Sequence, residues 1–460
     1  MKIVIIKLGA AGDVIRTLPI AKAMKEKYKD AEITWITKDN IADILKPSEF
    51  IDNVYTLPYT GPQQFNLLYN FDIEDEATQL ALIIKADKKY GFSKEGNFPV
   101  AFNFGAEEYL NTFFDDEVKK ENQKTYQELM FNAAELTYKR EHVGIILTKE
   151  DREYALKFFQ DNKILKYNVL GIHMGASSRW PSKVWHESKL IEFIQQANKK
   201  NYEIIIFGGP NEAFKHEALL EKLEQKNIIA HANNPDNTNR QFASLIERCT
   251  AIICSDSFAL HVALALKKPT IGLFFCTSPH EVESYGLLKK VVSPLLKDFF
   301  PEHMNEYNEE LVKSISPQEV LEALEDSLKI DTVTAIIKHP TEEKVLIIQR
   351  SIKDSVHNNL WAFPGGRCEQ GESVKQTLQR EVKEEVGLDI KSIGKKIADY
   401  TYPIEKGILL RGASYFVFPT STETEEGLDV QALQWVTPEE LKNYPHIDGM
   451  EDEILKALYS

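Results

Sequence analysis

Residues 7–19 read KLGAAGDVIRTLP. They follow a β-branched run, KIVII, and lead into a helix-like stretch that continues to Tyr28, so the local pattern is strand, glycine loop, helix. A glycine loop in that place ordinarily offers backbone amides to a phosphate. Here G-A-A-G-D has neither the G-x-G-x-x-G spacing of a dinucleotide site nor the G-K-[ST] ending of a P-loop. Asp13 puts a carboxylate where a phosphate would need bare backbone. The wrong glycine spacing also speaks against a nicotinamide oxidoreductase.

Outward from this stretch, strand-like and helix-like segments alternate, which predicts parallel sheets with helices on their faces. EITWITK reads as the second strand. TKEDREYALKFF opens a new helix with Thr148 as N-cap, and NVLGIHMG, EIIIFGG, AIICSD and PTIGLFF follow as strands of a second α/β unit. SPQEVLEALEDSLK closes that unit: Ser316 caps, Pro317 takes the first helical position and Glu319 completes a capping box. The expected domains are 1–147, 148–329 and 331–460, with a boundary near Ile330–Asp331. Beyond it, DTVTAIIKHPTEEKVLIIQR reads as a hairpin of two strands. No internal repeat or low-complexity tract is present.

The 460 residues suggest about three domains. No apolar run approaches the ~20 residues of a spanning helix, and no signal peptide is recognisable at the N-terminus. The four cysteines form no CxxC pair, which predicts a reduced, cytoplasmic setting. A net charge of −15 disfavours a nucleic-acid binder but leaves room for a local basic pocket that takes a phosphorylated small molecule.

The most specific signal is GRCEQGESVKQTLQREVKEEVGL, Gly366 to Leu388. Val374, Leu378, Val382 and Val386 are four apart and make one apolar helix face. Glu381, Glu384 and Glu385 share an adjoining face. An isolated EVKEE is usually a solvated helix face, but three crowded carboxylates also invite a cation, and hard oxygen ligands favour Mg²⁺ or Mn²⁺. The fixed positions of this stretch, Gly366, Glu372, Arg380-Glu381, Glu384-Glu385 and Gly387, resemble the Nudix box, and the resemblance covers about residues 331–460. It implies an α/β/α domain with a mixed sheet that hydrolyses a nucleoside diphosphate linked to another group. It further implies Gly366, Glu381, Glu384 and Glu385 at the metal, Glu381 and Glu384 as catalytic groups, and an Arg380–Glu372 pair fixing the loop to the helix. Trp361, Phe363 and Pro364 resemble the strand that leads into the box. Trp435 and a helix start at TPEEL, with Thr437 and Glu440 as capping box, fit the end of such a domain. Pro403 stands where some members select ADP-ribose or related ADP-sugars; it also suits an ordinary strand edge.

The first 329 residues resemble glycosyltransferase family 9, the heptosyltransferase-like enzymes. The resemblance rests on an ordered set: KLGAAGDVIRTLPIAKAM, GIHMGASSRWPSKVW (Gly171–Trp185), IIIFGGPNE (Ile204–Glu212), CSDSFALHVALALKKPTIGLF (Cys254–Phe274) and TSP (Thr277–Pro279). It implies two Rossmann-like domains in a B-type glycosyltransferase arrangement, with the acceptor on the N-terminal side and a nucleotide-sugar donor on the C-terminal side. No metal is needed for transfer. Asp13 then corresponds to the general base, with capping the N-terminus of its helix as the structural alternative. Gly175, Ala176 and Ser177 would face the diphosphate and Lys183 the leaving phosphate. Glu212 would accept from a ribose hydroxyl, and Asp256, Ser257 and His261 would contact nucleotide or sugar. Two features depart from the family pattern. Phe258 stands where glycine is usual, which predicts an altered sugar pocket because phenylalanine resists positive φ and fills space. Val54 to Leu82 contains no lysine or arginine, which predicts a weakly charged glycan or lipid-linked acceptor rather than an anionic lipid core. The fusion implies a bifunctional enzyme, peripheral to the inner membrane at most, with ADP-heptose as one candidate donor. A nucleotide-sensing Nudix module, or a hydrolase beside a degenerate transferase, are the alternatives.

Overall fold

The computed structural model describes residues 1–164, 168–175, 179–351, 359–369, 372–403, 409–427 and 430–459. The chain forms two compact units, Met1–Leu328 and Lys329–Ser460. The division falls a residue or two before the expected boundary.

Unit 1 holds two six-stranded sheets. The first is built from β1 (Lys2–Ile6), β2 (Glu32–Thr37), β3 (Asn53–Thr56), β4 (Gln64–Asn70), β5 (Lys85–Glu95) and β6 (Phe98–Ala101) in the order β3-β2-β1-β4-β5-β6. All its pairs are parallel except β5 with the edge strand β6. The second contains β7 (Val169–His173), β8 (Glu203–Phe207), β9 (Ala230–Ala232), β10 (Ala251–Ser255), β11 (Thr270–Phe274) and β12 (Leu288–Val292), ordered β12-β11-β10-β7-β8-β9 and parallel throughout. Both orders are doubly wound and reverse once, between β1 and β4 and between β7 and β10. A crevice for ligands opens at such a reversal, outside the carboxyl ends of the strands.

The local reasons are plain in the sequence. Ile3–Ile6 and Ile252–Ile253 are central strands covered on both faces and wholly buried, hence their unbroken apolar runs. Thr148 with Asp151, and Ser316 with Glu319, form the expected capping boxes, and Pro317 opens its helix.

Unit 2 carries a four-stranded mixed sheet, β16-β13-β18-β17, and a three-stranded antiparallel one, β15-β14-β19. The strands are β13 (Thr332–Ile337), β14 (Val345–Arg350), β15 (Trp361–Ala362), β16 (Gly365–Arg367), β17 (Ile390–Pro403), β18 (Leu409–Pro419) and β19 (Val430–Val436). The expected hairpin is therefore corrected. β13 and β14 form, but they lie in different sheets and touch through one bridge, Lys338 to Val345. The reason is competition, since β18 runs the length of one edge of β13 and β16 takes the other edge at Thr332–Thr334. A second correction concerns Thr437. Its capping box with Glu440 exists, but it opens a single 3-10 turn, Glu440–Asn443, and the α-helix follows only at Met450–Tyr459.

The cap at Ser316 fixes a helix whose Val320, Leu321 and Leu324 enter the core of the second sheet. Ser316→Ala should therefore lower the stability of the full chain by about 1 kcal/mol, read as a lower urea midpoint at unchanged slope. An unchanged midpoint would show that packing alone holds the helix.

Candidate active sites

Asp72 follows β4 at the first reversal. Its Oδ2 accepts from the amides of Leu8 (3.1 Å) and Gly9 (3.2 Å) and lies 3.4 Å from Lys7 Nζ. The loop amides that a phosphate would need are thus already given to a carboxylate. Asp13 is the third residue of the helix Ala11–Lys27, whose N-cap is Ala10, so its alternative role as a cap does not apply. Its Oδ1 accepts from Arg16 Nε at 3.0 Å and Nη2 at 2.7 Å, while its Oδ2 lies 3.7 Å from Lys7 Nζ. The Arg16 guanidinium rests on the ring of Tyr126, 3.9 Å from its centre. Burial opposes the charge on Asp13, but Arg16 and Lys7 outweigh it and hold its pKa below the usual carboxylate range.

At the second reversal, His173 ends β7 and Asp256 and Ser257 follow β10. Lys183, nearly buried, donates to the Asp256 carbonyl at 2.9 Å and carboxylate at 3.0 Å. Its ammonium also faces the Trp180 ring at 4.5 Å. Burial works against the Asp256 carboxylate, yet Lys183, His261 and Arg16 keep it well below its ordinary pKa. The Ser257 hydroxyl and His173 Nδ1 are 3.3 Å apart. A β-carbon on Gly175 would come within 2.9 Å of the His173 ring and 3.2 Å of the Glu212 carboxyl, so the bare backbone there lets these groups close in. Glu212 itself accepts from the Gly209 amide at 3.0 Å. Ala176 and Ser177 lie outside the described residues.

The two reversals meet at one glycine. A β-carbon on Gly12 would fall 2.6 Å from Cδ2 of His261, which belongs to the helix Phe258–Ala265. Its absence lets that helix close onto the first turn of Ala11–Lys27. Burial and the Arg16 charge push His261 down to about 4, so its ring is neutral near pH 7. Phe258 is the first residue of its helix and has no positive φ. The backbone objection to it is corrected, because a helix start suits any L-residue. Its ring does fill space, packing at 5.6 Å on Phe242.

Sequence reasoning missed Lys7, Arg16, Asp72, Tyr126 and His173. Lys7 and Arg16 stand in the motif itself, and their charge was the available signal. Asp72 and Tyr126 join the site only through sheet order and helix packing.

In unit 2, Leu378, Val382 and Val386 are fully buried, as the stripe requires. Arg380 forks onto Glu372 (Nε–Oε1 2.9 Å, Nη2–Oε2 3.0 Å) and reaches the Arg367 carbonyl at 2.9 Å, tying loop to helix. With the Glu369 amide it holds the Glu372 carboxyl down to about 2. Arg380 Nη1 also donates to Glu381 (2.7 Å) and Glu384 (3.3 Å), whereas Glu385 accepts from the Gly365 amide at 2.7 Å. A β-carbon on Gly366 would sit 2.2 Å from Glu381 Oε1. Burial raises the Glu381 pKa against the pull of Arg380, with Glu384 adding to the rise. Among the described residues, no three His, Cys, Asp or Glu side chains converge as metal ligands. The donor set nonetheless suits a hard cation: the groups offered are all oxygens, and the cradle at Gly366 is one that any side chain would fill.

The family model of glycosyltransferase family 9 (heptosyltransferase) matches residues 62–305, and that of the NUDIX domain matches 329–458. Lipopolysaccharide heptosyltransferase 1 of Campylobacter coli is 23% identical over 348 residues, 71% of this chain and 98% of its own length. CTP pyrophosphohydrolase of Escherichia coli is 34% identical over 116 residues, 25% of this chain and 82% of its own. The crystal structure of a family 9 glycosyl transferase from Veillonella parvula superposes with a TM-score of 0.58 at 18% identity, over 71% of this chain and 97% of that one. It confirms the fold of unit 1. Among the described residues no helix is long and apolar enough to cross a membrane.

The contact at Gly12 makes a direct test of the meeting of the two reversals. Gly12→Val should destabilise the full chain by about 1–3 kcal/mol through overpacking. Most of that loss should vanish in a His261→Ala background, a non-additivity that urea denaturation of the four proteins would measure. Additive effects would mean that the ring and the loop do not touch.

Proposed function

The chain belongs to glycosyltransferase family 9 and carries a Nudix domain, both families of enzymes, and on that premise we propose that it has two activities. Unit 1 transfers a sugar from a nucleotide-sugar, with ADP-heptose as the leading donor, to a weakly charged glycan or lipid-linked acceptor. Unit 2 hydrolyses a nucleoside diphosphate-linked compound with Mg²⁺ or Mn²⁺.

In the transfer, Asp13 takes the proton of the acceptor hydroxyl as its oxygen bonds to the anomeric carbon. The anomeric carbon–phosphate oxygen bond breaks, and the nucleoside diphosphate leaves with the electron pair. Gly175, Ser177 and Lys183 meet the charge that develops on it, the lysine serving where other enzymes use a metal. Glu212, with one carboxylate oxygen committed to Gly209, turns the other to a ribose hydroxyl. Asp256, Ser257 and His261 line the donor side, and Asp256 keeps the Lys183 ammonium in place. The observation that carries this reading is the contact of Gly12 with His261, because it sets the base of one sheet against the donor side of the other. The acceptor class is supported by the lack of lysine and arginine from Val54 to Leu82. It is also supported by the pairing of Lys7 and Arg16 with carboxylates of the chain itself. An enzyme of this kind works in the cytoplasm, peripheral to the inner membrane where its acceptor is lipid-linked.

In unit 2, Gly366, Glu381, Glu384 and Glu385 would hold the cation, which supplies positive charge to the diphosphate and lowers the pKa of an attacking water. Glu381 and Glu384 are the groups that would orient that water and take its proton. Arg380 and Glu372 keep the loop at its station.

Purified chain with Mg²⁺ should be screened against nucleotide-sugars, ADP-ribose and nucleoside triphosphates by mass spectrometry, with and without glycan acceptors. Glu384→Gln, or EDTA on the wild type, should cut diphosphate hydrolysis by about 100-fold or more and spare transfer. Asp13→Asn should do the reverse. Hydrolysis lost in a folded Asp13→Asn protein would refute two independent sites.

A further inference from the structure

Asp13 has one oxygen engaged and one not. Oδ1 accepts both hydrogen bonds from Arg16, at 3.0 and 2.7 Å. Among the described residues Oδ2 accepts no hydrogen bond, and its ion pair is with Lys7 Nζ at 3.7 Å, too far for a hydrogen bond. Arg16 is itself held, since its guanidinium carbon sits over the Tyr126 ring, 3.9 Å from the centre, and the Tyr126 hydroxyl is 3.4 Å from Thr17 Oγ1, one turn along the Asp13 helix. We infer that Arg16, clamped on the ring of Tyr126, is the positioning residue of the transfer step: it takes Oδ1 of Asp13 and leaves Oδ2 as the oxygen that receives the acceptor proton. This rests on the reading of Asp13 as the base.

The division of labour follows from geometry. A guanidinium presents two N–H groups in one plane, and here both converge on Oδ1, so they hold that oxygen in place as well as supplying charge, whereas an ammonium has no such rigid pair of donors. Lys7 cannot do the same work. It is held by Asp72 at 3.4 Å and reaches Oδ2 only through its field. The other charged or titratable groups around Asp13 come from separate elements. His261 lies on the helix Phe258–Ala265, Tyr126 on Tyr126–Ala133, Tyr109 on Phe104–Phe114, and Asp72 stands behind Lys7. His261 is neutral near pH 7 and the tyrosines are protonated there, their pKa values being raised by burial. The cations beside Asp13 are therefore Arg16 and Lys7, and of the two Arg16 has the larger effect on it. The sign follows: loss of Arg16 must raise the pH at which Asp13 ionises, and the acid limb of transfer must rise with it.

The test uses the full chain labelled with ¹³C at aspartate Cγ, the Asp13 resonance being identified by its loss in Asp13→Asn. Arg16→Gln should move the Asp13 titration midpoint up by about one to two pH units. The acid limb of kcat/KM for ADP release from ADP-heptose, with the acceptor returned by the screen, should move equally. At neutral pH kcat should fall about 10- to 100-fold. Arg16→Lys should restore most of the titration shift but little of kcat, because charge returns without the fork. Millimolar guanidinium should rescue Arg16→Gln in part. An unmoved Asp13 midpoint, or full kcat with Arg16→Lys, would overturn the inference, and the lysine variant keeps the test open should Arg16→Gln fail to fold. Transfer that survives Asp13→Asn would instead overturn the reading of Asp13 as base, a separate outcome.

Discussion

The site in unit 1 depends on an absent β-carbon. Gly12 gives the His261 ring the space in which it lies, and through that ring the helix Phe258–Ala265 closes on the helix Ala11–Lys27. Without this approach the reversal of the first sheet and that of the second would be two half-sites. With it, charges of the two sheets act on one another: Arg16 stabilises the Asp256 carboxylate, and it adds to the burial that keeps His261 neutral. The glycine of the loop thus serves helix packing rather than phosphate binding, since Asp72 occupies the amides of Leu8 and Gly9.

Charge pairing is the second constraint. Lys7, Arg16 and Lys183 are all largely shielded from water, and each has a carboxylate of the chain as partner: Asp72, Asp13 and Asp256. An unpaired ion at such depth would cost several kcal/mol. The arrangement keeps the ions charged and oriented before any ligand arrives, which is what electrostatic assistance to a departing diphosphate requires. It also bears on the acceptor. Cations already matched by internal carboxylates attract an anionic glycan less than exposed ones would, in line with the lack of lysine and arginine from Val54 to Leu82.

How much of this could be read from the sequence depended on whether the cause was local. The caps at Thr148 and Ser316, the strands β1, β2, β7, β8, β10 and β11 and the apolar stripe of Val374–Val386 follow from neighbours within a turn or two, and these appear as expected. The hairpin at β13 and β14 failed because strand partners are set by the whole sheet, and β16 and β18 were better placed than the next strand in sequence. Thr437 failed in a smaller way: a capping box satisfies the first amides of a turn but does not oblige the turn to continue. At Phe258 a family pattern was read as a backbone constraint where the structure has an ordinary helix start. In the site, Asp13, Lys183 and Asp256 were legible as motif residues. Asp72 and Tyr126 were not, because only the β1–β4 pairing and the packing of Tyr126–Ala133 bring them near Asp13.

The Nudix helix makes the same point about spacing. Glu381, Glu384 and Glu385 share a face by periodicity, yet they do not share a partner. Arg380 bridges Glu381 and Glu384 while Glu385 turns to the Gly365 amide. Three carboxylates on one face repel, and each settles on the nearest donor that relieves the repulsion. A divalent cation offers more charge than one guanidinium nitrogen and accepts oxygens from several directions at once. Binding of the proposed cation would therefore be a competition in which Glu381 and Glu384 give up Arg380 Nη1. Arg380 can yield that nitrogen without losing its station, because Nε and Nη2 remain fixed on Glu372 and the Arg367 carbonyl. The fork of an arginine, rather than the charge of a lysine, would allow one side chain to hold the loop and still release the acids.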